Sequence, residues 1–193
     1  MTTDTVYTAS TNPFASRFID TLPFRLAGSS MSELCTRLEA LGGHGAIIGP
    51  HGSGKTTLAE RLHDELETKG WCVYSYRTTE RGRGFKDFVS RRYGSDDAVL
   101  IDGAGHVGPF LRRRVFRALR DAGRLVVTVH EDSQLPCLYR CEPSLSLLDD
   151  LLEDLAPDLN ETLRPHAHRL YAEHNGNIRD VLRGLYDHCA ALA

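Results

Sequence analysis

Residues 46–141 alternate between short apolar runs and amphipathic stretches. The runs predict buried strands because they are too short for buried helices. They are 46–48, 71–76, 99–101, 125–129 and 138–141. Apolar side chains recur at helical spacing over 57–69, near 85–92 and over 110–122. Strands that alternate with helices predict an α/β fold with a parallel sheet covered on both faces.

After Pro143 the pattern becomes purely helical. Leucines form one apolar stripe over 145–155, and Ile178 to Cys189 forms another. A helix over 161–174 lies between them, although Pro165 lacks the backbone N–H that a helix interior uses. This part of the chain is expected to form a small helical lid.

The N-terminal segment has neither strand nor helix periodicity. Its apolar residues are nevertheless too many for a free tail: Phe14, Phe18, Phe24 and Leu26. We expect an irregular arm that packs on the domain or on a partner, followed by a short helix over 31–41. The predicted organisation is an arm (1–30), an α/β nucleotide-binding core (31–143) and a helical lid (144–193).

Composition changes this picture little. The chain has 193 residues, 41% hydrophobic and 25% charged, as in ordinary globular proteins. The formal net charge of −3 does not favour nucleic-acid binding by the whole chain. Arg77–Arg124 holds 12 of the 23 Lys and Arg residues, whereas 149–161 is acidic. Such runs are usually solvated helix faces.

The start of the chain lacks the features of a signal peptide, and no stretch is long and apolar enough for a membrane span. The five cysteines are scattered and odd in number, which favours reduced thiols over a disulfide framework. We therefore expect a cytoplasmic protein.

The segment from Gly49 to Thr56 matches the P-loop pattern G-x-x-x-x-G-K-[ST]. Glycines let backbone N–H groups curl around a phosphate, and the helix that follows offers its unpaired amides to an anion. Lys55 is predicted to neutralise the β- and γ-phosphates. The alternative is a simple glycine-rich turn, but the apolar strand before the motif and the amphipathic helix after it are the context a P-loop needs. The predicted ATP-binding residues are Gly49, Pro50, His51, Gly52, Ser53, Gly54, Lys55, Thr56 and Thr57.

A P-loop site also needs a carboxylate for its metal, and Asp102 at the end of an apolar strand supplies it. A charge at the end of a buried strand is costly unless it has a partner such as a metal. The alternative is an aspartate that caps the next turn. Thr56 and Asp102 are therefore the predicted Mg2+ ligands. An additional strand, 71–76, falls between the P-loop strand and the Asp102 strand, as in the additional-strand class of P-loop ATPases.

These residues resemble an AAA+ or STAND-type ATPase, closest to the origin-recognition and transposition-helper branches. The resemblance covers roughly residues 34–192. It rests on these segments: Gly49–Thr56 as Walker A, Val99–Asp102 as Walker B, Leu125–His130 as the sensor 1 strand, Gly176–Arg179 as the G-x-x-R of sensor 2, and Leu138–Pro143 as the entry to the lid. It implies that Arg179 reaches the γ-phosphate, although a surface arginine after an Asn-Gly turn is the alternative. Sensor 1 would be Thr128 or His130.

The chain departs from this family after Asp102. The family usually has a glutamate there that polarises the attacking water, whereas this chain has Gly103. Hydrolysis is therefore expected to be slow, unless His106, Glu131 or a partner substitutes. An arginine finger could be Arg140 or one of Arg112–Arg114.

Three functions remain open on these residues. The first is an ATPase (ATP and water to ADP and phosphate) or nucleotide-dependent switch, with Lys55, Asp102 and Arg179 as its catalytic residues. Its partner would be a protein or a nucleic acid, and a homo-oligomer fits the resemblance. The second is a small-molecule phosphotransferase that uses Arg77, Arg81 and Arg83 as a phosphate-binding lid. The third is a non-hydrolysing nucleotide-binding interaction module.

Overall fold

The computed structural model describes residues 8, 10–26, 28–78, 84–106, 109–131 and 133–191, without the side chains of residues 106, 109–112 and 114. The chain divides into two compact units. The sheet unit comprises the described residues of Leu26–Pro50 and Gly54–Cys141. The helical unit comprises those of Met1–Arg25, His51–Ser53 and Glu142–Ala193. Residues 8 and 10–25 of the predicted arm thus group with the C-terminal helices, whereas 26 and 28–30 belong to the sheet unit, and the lid assigned to 144–193 stays a prediction.

The sheet unit is built on five parallel strands. They are β1 His44–Ile48, β2 Cys72–Arg77, β3 Asp97–Asp102, β4 Arg124–Val129 and β5 Cys137–Arg140. Their order across the sheet is β2-β3-β4-β1-β5. The predicted α/β fold with a parallel sheet is confirmed.

The strand inserted between β1 and β3 in the sheet is β4. Strand β2 falls between them along the chain but lies at the sheet edge. Burial explains this placement, because β4 is buried at every position after its first, whereas β2 alternates between exposed and half-buried residues. Strands inside a parallel sheet are covered on both faces and need continuous apolar runs. The additional strand of this sheet is therefore 124–129 rather than 71–76.

Among the described residues the helices are α1 Ser16–Ile19, α2 Met31–Ala40, α3 Lys55–Thr68, α4 Gly84–Ser90, α5 Pro109–Ala118, α6 Leu145–Leu155, α7 Asn160–Glu173 and α8 Ile178–Ala191. Helices α2 to α5 belong to the sheet unit, whereas α1 and α6 to α8 belong to the helical unit. On one sheet face, Val99, Ile101 and Val127 pack with Val115 of α5. Successive strand residues point to opposite faces of the sheet. The strand residues between those named therefore point to the other face, which α2 and α3 cover. The P-loop connects β1 to α3.

The helical unit has its own apolar core. Leu148 and Leu152 of α6, Leu163 of α7 and Leu185 of α8 are buried together. Helix α7 runs through Pro165 without a break, although the sequence pattern suggested an interruption there. The proline removes a single helix hydrogen bond, the one to the carbonyl of residue 161. Packing of buried residues on both sides of Pro165 offsets that loss.

The described part of the N-terminal arm packs in the helical unit. Phe14 is 2% exposed and lies in the same core as the leucines of α6. The Asn12 side chain donates to the backbone oxygen of Tyr186 at 2.9 Å and accepts from the Phe14 N–H at 3.0 Å. Arg25 pairs with Asp154 at 2.5 Å. Apart from the short helix α1, the described arm is irregular in backbone, and specific contacts anchor it.

Two expectations about the whole chain concern its cysteines and membrane spans. The cysteines at 35, 72, 137, 141 and 189 are all free, as their spacing suggested. Within the described ranges, none of the helices is long and apolar enough to cross a bilayer.

Candidate functional site

The loop between β1 and α3 adopts a backbone that only glycine tolerates easily. Gly52 has a φ of 69° and Gly54 a φ of 83°. A Cβ atom on Gly52 would lie 1.7 Å from Oδ1 of Asn177, which is impossible without displacement. Gly52 and Asn177 both belong to the helical unit. Glycine is thus required at position 52 for conformation and for space.

Helix α3 starts without a side-chain cap on its first amides. By contrast, α2 starts with a complete capping box, in which Ser30 and Glu33 bond each other's backbone N–H. The hydrogen bond from the Ser30 N–H is the largest of the causes that lower the pKa of Glu33. The uncapped amides of α3 and its helix dipole favour an anion at this end of the helix.

Lys55 is the first residue of α3, and its side chain folds back along the loop. The ammonium donates to the carbonyl oxygens of Gly49 at 2.7 Å and Pro50 at 2.6 Å. It also lies 3.3 Å from Nδ1 of His130. Because an ammonium group only donates, this contact requires Nδ1 to accept, which places the His130 proton on Nε2. Lys55 is 8% exposed, so its position is set by surrounding atoms.

Asp102 receives hydrogen bonds from both hydroxyl groups that face it. The Thr56 hydroxyl donates to Oδ2 at 3.0 Å, and the Thr128 hydroxyl donates to Oδ1 at 2.6 Å. Thr128 also accepts from the Gly103 N–H at 2.7 Å. The two sensor 1 candidates are therefore distinct in geometry: Thr128 holds the carboxylate, and His130 lies at the lysine.

A third donor to Asp102 was not foreseen from the sequence. Arg77, the last residue of β2, pairs in register with Asp102, and its Nε donates to Oδ2 at 3.1 Å. Its Nη2 donates to Oε1 of Glu60 at 2.6 Å. Burial opposes the charge of Arg77, but the hydrogen bond and charge of Glu60 and the charge of Asp102 outweigh it and raise its pKa. No local sequence pattern marks this contact. It arises because β2 pairs in parallel with β3, which brings their last residues together.

The donor set around Asp102 fits a magnesium ion. A hydroxyl and a carboxylate oxygen converge there, and Mg2+ prefers such hard oxygen ligands. A cavity of about 360 Å3 opens beside them. Its polar lining residues are Thr56, Glu60, His63, Asp64, Ser75, Arg77 and Asp102.

The remaining predicted residues are placed as follows. Ser53 is buried, Thr57 is half-buried and His51 is exposed. Arg179 lies in the first turn of α8. Its Cβ is 3.3 Å from the point that a Cβ atom would occupy if residue 52 were not glycine. Glu131 and Arg140 are exposed.

Several candidates fall outside the part of the chain that the structure describes. They are the side chains of His106, Arg112 and Arg114 and the whole of Arg81 and Arg83. Arg113 is described and exposed. Of the three arginines of the phosphotransferase hypothesis, the structure describes Arg77, which is engaged with Glu60 and Asp102.

Comparison with known proteins gives structural likeness only. Neither a family model nor a curated protein matches the sequence. A replication initiator DnaA bound to AMPPCP and single-stranded DNA superposes with a TM-score of 0.53 at 14% identity, over 86% of this chain and 62% of that one. AMPPCP-bound DnaA from Aquifex aeolicus gives 0.48 at 15%, over 82% and 61%. A RuvB variant from Thermotoga maritima gives 0.46 at 15%, over 81% and 67%.

The chain therefore spans about three fifths of the two DnaA structures. At this identity the likeness concerns the fold, and the DnaA structure with a TM-score above 0.5 carries it. The predicted resemblance is confirmed at the level of the fold. The fold that the chain shares with that DnaA structure is an α/β fold built on five parallel strands.

Proposed function

We propose that this protein binds ATP with magnesium at the P-loop and acts as a slow ATPase or nucleotide-dependent switch on a macromolecular partner. The observation that carries the proposal is the convergence of Lys55, the uncapped start of α3 and the Thr56–Asp102 pair at the carboxyl edge of a parallel sheet. In open α/β sheets, ligands bind at this edge.

Each residue of the site has a chemical part in this proposal. The backbone amides of Gly49–Thr57 and the Lys55 ammonium bind the phosphates. Thr56 and Asp102 would hold Mg2+, which neutralises phosphate charge when bound. Thr128 keeps the Asp102 carboxylate in position. His130, whose Nδ1 lies 3.3 Å from the Lys55 ammonium, is our choice for sensor 1.

Slow hydrolysis follows from the groups around Asp102. General-base catalysis needs a group within hydrogen-bond reach of the attacking water. Asp102 already accepts from Thr56, Thr128 and Arg77, and Gly103 follows it where the family places a glutamate. Turnover is therefore expected to depend on a partner that supplies or orients the missing base.

We place the partner contact on a groove between α4 and α5, with a volume of about 960 Å3. Cationic and aromatic side chains line it together: Phe85, Lys86, Arg91, Arg92 and Tyr93. The Arg91 guanidinium already stacks on the Tyr74 ring at 4.0 Å. Lys86, Arg91 and Arg92 are exposed, and such a cluster of cations suits the phosphates of single-stranded nucleic acid. The DnaA structure of the same fold was solved with single-stranded DNA.

We expect single-stranded DNA to stimulate phosphate release from ATP, and Lys86→Gln with Arg92→Gln to remove the stimulation. Loss of two phosphate contacts should weaken DNA affinity on the order of tenfold and flatten its salt dependence. Fluorescence anisotropy and single-turnover phosphate release measure the two effects. Lys69→Gln, directly after α3 and outside the groove, is the control.

The other two functions give different results in the same assay. Transfer of labelled phosphate to a small acceptor would favour the phosphotransferase. ATP binding without turnover, with or without DNA, would favour the non-hydrolysing module. DNA affinity unchanged by both groove substitutions would remove the groove from the proposal.

Arg179→Ala should weaken ATP binding by about 1–3 kcal/mol, the range for a lost charge-assisted hydrogen bond. ADP binding should change much less, because ADP lacks the γ-phosphate to which the arginine is assigned. Titration calorimetry with both nucleotides measures the difference. Arg183→Ala, on the same helix and also exposed, is the matched control. Equal losses for ATP and ADP would reduce Arg179 to a surface residue.

A further inference from the structure

Arg77 bridges two carboxylates of different character. Its Nε lies 3.1 Å from Oδ2 of Asp102, and its Nη2 lies 2.6 Å from Oε1 of Glu60. The Asp102 side chain is 19% exposed, whereas that of Glu60 is 62% exposed. One guanidinium therefore connects the carboxylate of the proposed metal site to a carboxylate in solvent.

Arg77 contacts the same oxygen of Asp102 that the Thr56 hydroxyl contacts, and Thr56 is the other proposed metal ligand. Oδ2 accepts from Arg77 and from the hydroxyl of Thr56. A divalent cation held by Thr56 and Asp102 would thus share an oxygen with the guanidinium. Two cations on one carboxylate oxygen repel each other, and arginine cannot relieve the repulsion by losing its proton.

We propose that Arg77 is a competing cation that sets the magnesium affinity of the Thr56–Asp102 site, and that Glu60 is the carboxylate that retains it when magnesium binds. The inference rests on the proposed function, since it assigns a regulator to the same site. Arg77 acts on the metal through Asp102 and is a positioning residue.

The position of Glu60 on α3 allows it to retain the Arg77 guanidinium when magnesium binds. It lies one helical turn after Thr56 and forms part of the same cavity wall as Arg77 and Asp102. If the guanidinium turns away from Asp102, it keeps its ion pair with Glu60 and moves toward solvent. Asp102 meanwhile keeps its hydrogen bond from Thr128. The exchange therefore leaves neither side chain as a buried charge without a partner.

The test is the enhancement of nucleotide affinity by magnesium, measured with a fluorescent ATP analogue in EDTA and in excess Mg2+. The ratio of the two dissociation constants gives the contribution of magnesium to nucleotide affinity, because contacts that do not involve the metal cancel. We expect Arg77→Gln to increase the enhancement roughly tenfold, because it removes the competing charge. Glu60→Gln should decrease it, because Arg77 then has Asp102 as its acidic partner. Lys69→Gln removes a cation just beyond the C-terminal end of α3 and should leave the ratio unchanged.

The double variant separates this account from a direct effect of Glu60 on the metal. If Glu60 acts through Arg77, Glu60→Gln has no further effect once Arg77→Gln is present. A persistent effect of Glu60→Gln, or an enhancement within twofold of wild type for Arg77→Gln, would overturn the inference. Absence of ATP binding in the wild-type protein would overturn the proposed function and this inference with it. Thermal unfolding verifies that each variant is folded.

Discussion

Lys55→Met is expected to lower ATP affinity roughly 100-fold or more while the protein stays folded. The ammonium is the cation at the loop, and charge-assisted hydrogen bonds to phosphate are the strongest that the site offers. Methionine is preferable to alanine because the lysine stem is buried, at 8% exposure, and needs to be replaced by similar volume. Titration calorimetry measures affinity, and thermal unfolding measures the integrity of the fold.

Lys69→Met provides the control for this substitution. It removes a lysine from the opposite end of α3, where Lys69 follows the last helical residue and contacts Glu65 at 3.3 Å, and it should leave ATP affinity unchanged. Unchanged ATP affinity in folded Lys55→Met would remove the P-loop assignment, since the Lys55 ammonium is the cation that the proposal assigns to the phosphates. A variant that binds ADP and ATP equally poorly is the expected outcome.

Much of the fold follows from local sequence pattern. Buried strands and amphipathic helices leave their signature within a few residues, so the predicted elements of the sheet and of α6 and α8 match the observed ones closely. Strand order depends on contacts between distant segments. The position of β4 between β1 and β3 therefore required the structure, although the continuous apolar run at 125–129 was consistent with a central strand.

Some residues of the candidate site could likewise be predicted from local sequence, and others could be identified only from the structure. Gly49–Thr56 is a contiguous motif whose chemistry is visible in the sequence, and Asp102 ends a recognisable buried strand. Arg77 became visible only through the register of β2 on β3, because 25 residues separate it from Asp102 along the chain. The choice between Thr128 and His130 also depended on the structure, since both lie near the end of β4 and only hydrogen-bond geometry distinguishes them.

The N-terminal arm illustrates how tertiary contacts order a segment without periodicity. Asn12 accepts from the Phe14 N–H and donates to Tyr186 of α8, so it holds the turn that directs the Phe14 ring. Phe14 then lies with Leu148 and Leu152 in the core of the helical unit. No alternation of polar and apolar residues encodes this arrangement, because a single aromatic anchor replaces a repeated apolar face.

Phe14→Ala is therefore expected to lower the free energy of unfolding of the helical unit by about 3–5 kcal/mol, the cost of truncating a fully buried aromatic side chain. The loss combines the transfer free energy of the ring with the cavity left among the leucines. Phe18→Ala is the matched control, because Phe18 lies on the same arm but is 39% exposed, and its removal should cost less than about 1 kcal/mol. Denaturant unfolding and amide hydrogen exchange across α6 and α8 measure both variants. Similar small effects for the two phenylalanines would show that the arm contributes little to the core and that the helices are stable without it.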